Sequence, residues 1–183
     1  MKKAWVLGLA LALVPSFAFA SKREGVSMKD TAKVGGKKVV LNGMGVRQAT
    51  VFNVNVYVAG LYLEAKTRDP AEVTKDGAKK ILFHFVRDVD LDDLQDAFEE
   101  GFAKNGGGAL KDRVKKLNAM MSDMKDGQRM SLEYSPGTGT TVFVLGKKKG
   151  VIPGEDFMKV LFTIFVGPKA PNRLLRDGML GKA

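Results

Sequence analysis

From Asp90 onward the apolar residues Leu91, Leu94, Phe98 and Phe102 recur at three- and four-residue spacing, with Asp92, Asp93, Gln95, Asp96, Glu99 and Glu100 between them. The spacing predicts an amphipathic helix. Asp90 is its expected N-cap, the acids of the first turn suit the positive end of the helix dipole, and Asn105 followed by Gly106 to Gly108 ends it. A second helix is expected through Leu110, Val114, Leu117, Met121 and Met124, exposing Lys111, Arg113, Lys115 and Lys116 and stopping at Gly127. Phe157 to Val166 is apolar nearly all round, the pattern of a helix buried against a sheet. A last short helix falls near Arg173 to Met179 and ends at Gly181.

Upstream the pattern is that of strands. Val39-Val40-Leu41, Val46 to Val51 and Val54 to Glu64 are rich in β-branched and aromatic residues, with Asn42-Gly43 as a turn signal. A hairpin turning about Phe52 sets Arg47 opposite Tyr57 on the same face. Lys80 to Arg87 reads as another strand, set off by Asp69-Pro70 and Asp76-Gly77. Arg129 to Tyr134 and Thr140 to Leu145 flank Ser135-Pro136-Gly137-Thr138-Gly139, a hairpin turn fixed by Pro and Gly. Residues 21–36 are polar and Gly-rich, which predicts a mobile leader or a weak first strand. This order of elements is α+β: a mostly antiparallel sheet with helices on one face, in one domain spanning residues 21–183.

Composition narrows the class. The 183 residues are 45% hydrophobic and 27% charged with no Cys, which excludes a disordered chain, a disulfide scaffold and thiolate catalysis. The net charge of +10 suggests nucleic acid only for a chain that stays in the cytosol. Residues 1–20 argue for export: Lys2 and Lys3 precede the apolar run Ala4 to Val14, then Pro15 and the small-x-small pattern Ala18-Phe19-Ala20. This is the pattern of a signal peptide cleaved after Ala20, and it predicts a periplasmic or secreted protein. The basic clusters Lys37-Lys38, Lys79-Lys80, Lys115-Lys116 and Lys147 to Lys149 have no interleaved aromatics. In an exported monomer they point to solubility or to transient contact with an anionic membrane surface, not to nucleic acid.

The search for chemistry leaves little. There is no Walker loop, G-x-S-x-G elbow, H-E-x-x-H or dinucleotide fingerprint. No metal, cofactor or catalytic residue is assigned. The single histidine, His84, alternates away from Phe83 and Phe85, as expected of a hydrogen-bonded sheet residue; a haem-binding reading would make it the lone imidazole ligand. Asp92-Asp93 and Glu99-Glu100 fall on the solvent side of their helix. Arg47 beside Tyr57 offers a charge-assisted pair and a third donor for a carboxylate, with Val and Leu side chains near to line an apolar cleft. The same two residues equally fit a plain cross-strand contact at a sheet surface.

Four segments in order carry a resemblance: Leu41-Asn-Gly-Met-Gly-Val-Arg47, Val56-Tyr-Val-Ala-Gly-Leu-Tyr-Leu63, Phe85-Val-Arg-Asp-Val-Asp90, and Phe165-Val-Gly with Pro171 and Leu180-Gly181. Through them the chain resembles the chalcone isomerase family, in particular its bacterial exported branch. The resemblance implies an open-faced β-sandwich, a large antiparallel sheet covered by helices. In the plant enzymes an arginine stabilises the charge that develops as a chalcone closes to a flavanone, and Arg47 matches that arginine. Those enzymes carry a threonine where Tyr57 stands, and a Tyr and an Asn on the next helix where Asp90 or Leu91, and Ala97, stand. The plastid fatty-acid-binding branch pairs the arginine with a tyrosine, as here. The resemblance therefore implies a non-catalytic binder of a fatty acid or similar lipophilic carboxylate, with Arg47 and Tyr57 on the headgroup and Tyr62 and Arg87 as further ligand-binding residues. An intramolecular lyase or isomerase acting on a phenolic enone is the alternative.

Overall fold

A computed structural model describes residues 20–49 and 52–182. Residues 1–19 of the expected signal peptide, residues 50 and 51 of the expected strand Val46 to Val51, and residue 183 lie outside the described residues. Seven antiparallel strands form one sheet in chain order: β3 (Thr31–Val34), β4 (Lys37–Ala49), β5 (Val54–Leu63), β6 (Lys79–Phe85), β7 (Arg129–Ser135), β8 (Gly139–Val144) and β9 (Lys147–Ile152). A separate two-stranded ribbon pairs β1 (Ala20–Arg23) with β2 (Val26–Lys29). The helices are α1 (Pro70–Val73), α2 (Leu91–Lys104), α3 (Lys111–Asn118), α4 (Glu155–Val166) and α5 (Arg173–Met179). None of them is long and apolar enough to cross a membrane.

Alternation along the strands divides the core in two. On one face Leu61, Ile81, Phe83, Leu132 and Val142 pack against Phe98, Phe102, Leu161, Phe162 and Leu175 from the helices. On the other, Val26 and Met28 of β2 close over Val39, Leu41, Val58 and Tyr62. The α+β sheet-and-helix arrangement is the expected one. The stretch at 21–36, expected as a mobile leader or a weak first strand, forms three short strands, β1, β2 and β3; every second residue of β2 is apolar and covers the sheet face that the helices leave open.

Three further boundaries differ from the pattern-based reading. Asn42-Gly43 is not a turn, since β4 runs straight through it with a β-bulge between Leu41 and Gly43. Here α5 lies against the strand so closely that a Cβ at Gly43 would meet the Gly178 carbonyl, and one at Gly45 the Leu175 carbonyl. Asn42 fastens the same junction, donating to the Met179 carbonyl at 2.8 Å and accepting from the Thr67 N–H at 2.7 Å. The second helix stops at Asn118 rather than near Gly127, because Val89 and Met124 exchange backbone hydrogen bonds of 2.8 and 2.9 Å and pull the chain into an extended bridge. Met121 and Met124 remain buried in the helical-face core. Finally, Lys147 to Lys149 begin the edge strand β9, where exposed lysines discourage another chain from pairing with the open edge.

Lys79 is not a surface lysine. It is 3% exposed, donates to the Val73 carbonyl at 2.7 Å and to the Lys75 carbonyl, and lies 5.6 Å from the Phe162 ring centre. It thereby ties the end of α1 to α4. Burial pushes its ammonium down to about 8, against the opposing pull of Asp76, Glu155 and Glu64.

Gly45→Val forces α5 off the strand and lowers stability by about 1–3 kcal/mol in urea denaturation, whereas Gly108→Ala, with nothing within 4 Å of its Cβ position, changes it by less than about 0.5 kcal/mol. For Lys79, the unfolded chain keeps its proton up to the ordinary lysine value while the folded protein releases it near pH 8. Stability therefore rises with pH across that window, by about 1–2 kcal/mol between roughly pH 7.5 and 9.5. Lys79→Met abolishes the rise; an identical pH slope in the variant would show that the ammonium is not desolvated.

Candidate ligand-binding site

The register of β4, β5 and β6 sets Arg47 opposite Tyr57, and Tyr57 opposite Phe85, in one row across the sheet. The bulge after Leu41 brings Arg47 to the helical face of that row. Tyr57 meets Phe83 edge-on at 5.2 Å and Phe85 at 5.7 Å, while Phe165 of α4 packs on Phe83 at 5.4 Å and on Phe98 of α2 at 6.0 Å. Beside this aromatic group, between the sheet and α2, opens a cavity of about 740 Å³. That is the size of a small-molecule pocket. Val56, Val89, Leu94, Ile164 and the rings of Phe85, Phe98 and Phe165 give it apolar walls.

Arg47 and Tyr57 both line the cavity. Arg47 is half-buried and spends one N–H on the Gln48 carbonyl, leaving further donors for a ligand. Tyr57 is only 9% exposed, and among the described residues its hydroxyl has no hydrogen-bond partner. Burial raises its pKa well above the ordinary phenol range, against a smaller lowering by Arg47. Arg87, past the end of β6, reaches the same cavity from its exposed mouth.

Tyr62 does not join them. Five positions along β5 from Tyr57, it points to the opposite face, where its hydroxyl donates to the Lys29 carbonyl at 2.9 Å under the β1–β2 ribbon. His84 is on a sheet strand as expected, accepting at Nδ1 from Arg129 Nε at 2.9 Å, and burial followed by Arg129 lowers its pKa. Among the described residues no group of three or more His, Asp or Glu is placed to hold a metal ion.

The mouth of the cavity is charged, which the sequence pattern did not reveal. Asp93, Asp96 and Glu100 are exposed, as expected, but with Ala97 they form a stripe of α2 that borders the cavity. Their spacing of three and four residues was a legible sign that they share a helix face. What that face overlooks was not legible. Lys104 and Lys169 complete the rim, Lys104 pairing with Glu100 at 2.5 Å and Lys169 donating to the Lys104 carbonyl at 2.8 Å. Asp90 holds the N-cap position of α2 as expected but makes no side-chain cap bond, and the Leu91 N–H donates instead to Asp123 at 2.8 Å.

A sequence model described as chalcone isomerase-like matches residues 20–181, nearly the whole chain. The chain belongs to the chalcone isomerase-like family. Among solved structures, a fatty-acid binding protein of Arabidopsis thaliana is similar, with a TM-score of 0.73 over 88% of this chain and 96% of that one, at 15% sequence identity. That likeness shows the shared fold. No curated protein matches the sequence. In this family member Ala97, not a polar residue, stands on the cavity wall, and neither Asp90 nor Leu91 lines it.

The chain's three tyrosines provide a test of the site's burial, since Tyr62 is pushed up to about 12 by burial, and Tyr57 and Tyr134 are raised further. A phenol whose folded value exceeds its unfolded value of about 10 stabilises the fold fully below that pH. The contribution is lost as pH rises beyond it. Ultraviolet titration is therefore expected to show no tyrosinate while the circular dichroism stays native, and then both signals changing together. A phenol that ionises near its ordinary value in the intact fold and is lost in Tyr57→Phe would place Tyr57 in solvent, outside the arrangement described.

Proposed function

We propose that the protein is an exported, non-catalytic binder of fatty acids or similar lipophilic carboxylates. The carboxylate lies on the Arg47 guanidinium and the Tyr57 hydroxyl, and the acyl chain lies between the sheet, α2 and α4. One observation carries this reading: a nine-tenths buried phenol without a partner among the described residues, beside an arginine with donors to spare, at a cavity with apolar walls and a charged mouth. Buried polar groups find hydrogen-bond partners, and here the ligand supplies one. The fatty-acid binding of the structurally similar Arabidopsis protein supports it. Ala97 favours binding over ring closure, because it presents no polar group to orient a phenolic enone. Export, to the periplasm or beyond, follows from the signal-peptide pattern of residues 1–20. The positive net charge favours transient contact with an anionic membrane during loading.

The two headgroup residues divide the work unequally. A charge-assisted bond contributes about 1.5–3 kcal/mol against about 0.5–1.5 for a neutral one, so Arg47→Met weakens fatty-acid binding by roughly ten- to a hundredfold and Tyr57→Phe by at most about tenfold. Arg47→Met also loses the preference for a free acid over its methyl ester, which Tyr57→Phe keeps. Calorimetric titration of both variants with acid and ester measures this. A persistent acid preference in Arg47→Met places the headgroup elsewhere, and absence of any bound or binding lipid refutes the proposal as a whole.

A further inference from the structure

The mouth of the cavity carries charges of both signs, Asp88, Glu100, Lys104 and Lys169 among them. Arg47 and Arg87 stand on the sheet side, and Asp93 and Asp96 on the α2 side. Among the described residues none of these four forms an ion pair, whereas the neighbouring acids are matched, Glu100 by Lys104 at 2.5 Å and Asp88 by Lys125 at 3.2 Å. Asp93 lies in the first turn of α2, where the helix dipole stabilises an acid in any case. Asp96 lies beyond that turn and has no such reason to be there. Into the same space faces Tyr57, a residue nine-tenths buried whose hydroxyl is unpartnered among the described residues, which marks it as a place where a ligand's polar head sits. A plain fatty acid satisfies the arginine wall but is repelled by the aspartates. A head bearing both charges satisfies both.

We propose that the favoured ligand is an amphiphile with a zwitterionic head, its anion on Arg47 and Tyr57 and its ammonium against Asp93 and Asp96. This rests on the acyl-binding reading of the cavity and specifies the head that the cavity selects. The anion is a phosphate or a carboxylate; what the two walls select is the neighbouring ammonium. Exposed ion pairs are modest and screened by salt, so the discrimination is a matter of severalfold and is strongest at low ionic strength.

Calorimetry at low salt, below micelle-forming concentrations, tests this with four ligands of one acyl length: myristoyl lysophosphatidylethanolamine, myristoyl lysophosphatidylglycerol, α-aminomyristic acid and myristic acid. The native protein is expected to bind each zwitterion about fivefold more tightly than its anionic counterpart. The double variant Asp93→Asn, Asp96→Asn, altered only at exposed positions, weakens the zwitterions and tightens the two anions, a change of opposite sign that general loosening of the fold does not produce. The phosphate and carboxylate pairs, compared, report which anion the arginine side prefers. Equal affinity for a zwitterion and its anion, or a parallel change for all four in the variant, overturns the head assignment while Arg47-dependent myristate binding leaves the acyl-binding reading standing. If none of the four binds, both are overturned.

Discussion

The close approach of the α5 backbone to β4 is the constraint on which the cavity depends. It requires Gly43 and Gly45, since any side chain at either position meets a carbonyl of the helix, and it is fastened by Asn42 bonding to both α5 and the loop at Thr67. The bulge between Leu41 and Gly43 turns these glycines toward the helix. Because side chains alternate with a period of two, that one-residue irregularity exchanges the faces of everything beyond it. Val39 and Leu41 point under the β1–β2 ribbon, while Arg47 points to the helices. Without the bulge the arginine would sit on the wrong side of the sheet from Tyr57.

Given that face, aromatic packing makes the site rigid. Tyr57, Phe83, Phe85, Phe98 and Phe165 meet edge-on or tilted, arrangements that contribute about 0.5–1.5 kcal/mol per pair beyond the apolar area they bury. Rings from two sheet strands and from α2 and α4 are thereby fixed against one another. The phenol of Tyr57 is held at the edge of this group, and its hydroxyl opens on the cavity without a protein partner among the described residues. A packed core gives no reason for that hydroxyl; a ligand does.

The family's fold alone does not decide what is bound or whether chemistry occurs, because the same sheet-and-helix frame holds any cavity wall the sequence writes on it. What this chain writes is specific: an arginine and a phenol on the sheet, an alanine where a polar side chain would orient a reacting substrate, and a stripe of acids across the mouth. These identities, rather than the architecture, favour binding and shape the head of the ligand.

Local pattern determined most of the elements. The period of Leu94, Phe98 and Phe102 made α2 legible, the apolar run Phe157 to Val166 made α4 legible, and the two strands on either side of Phe52 were legible as strands, since each depends on contacts a few residues apart along one element, whereas the pairing of Arg47 with Tyr57 also needs the register shift between Arg47 and Gln48. Other features belonged to the tertiary structure because their cause is a distant segment. Asn42-Gly43 has the composition of a turn, and only α5, more than a hundred residues later, makes it a strand with a bulge. Lys79 and Tyr62 have the sequence of surface or site residues, yet α4 buries one and the β1–β2 ribbon the other. The acidic stripe of α2 could be seen to share a face, but which surface that face overlooks was settled by the packing of α2 across the sheet, because helical periodicity fixes direction only relative to the helix itself.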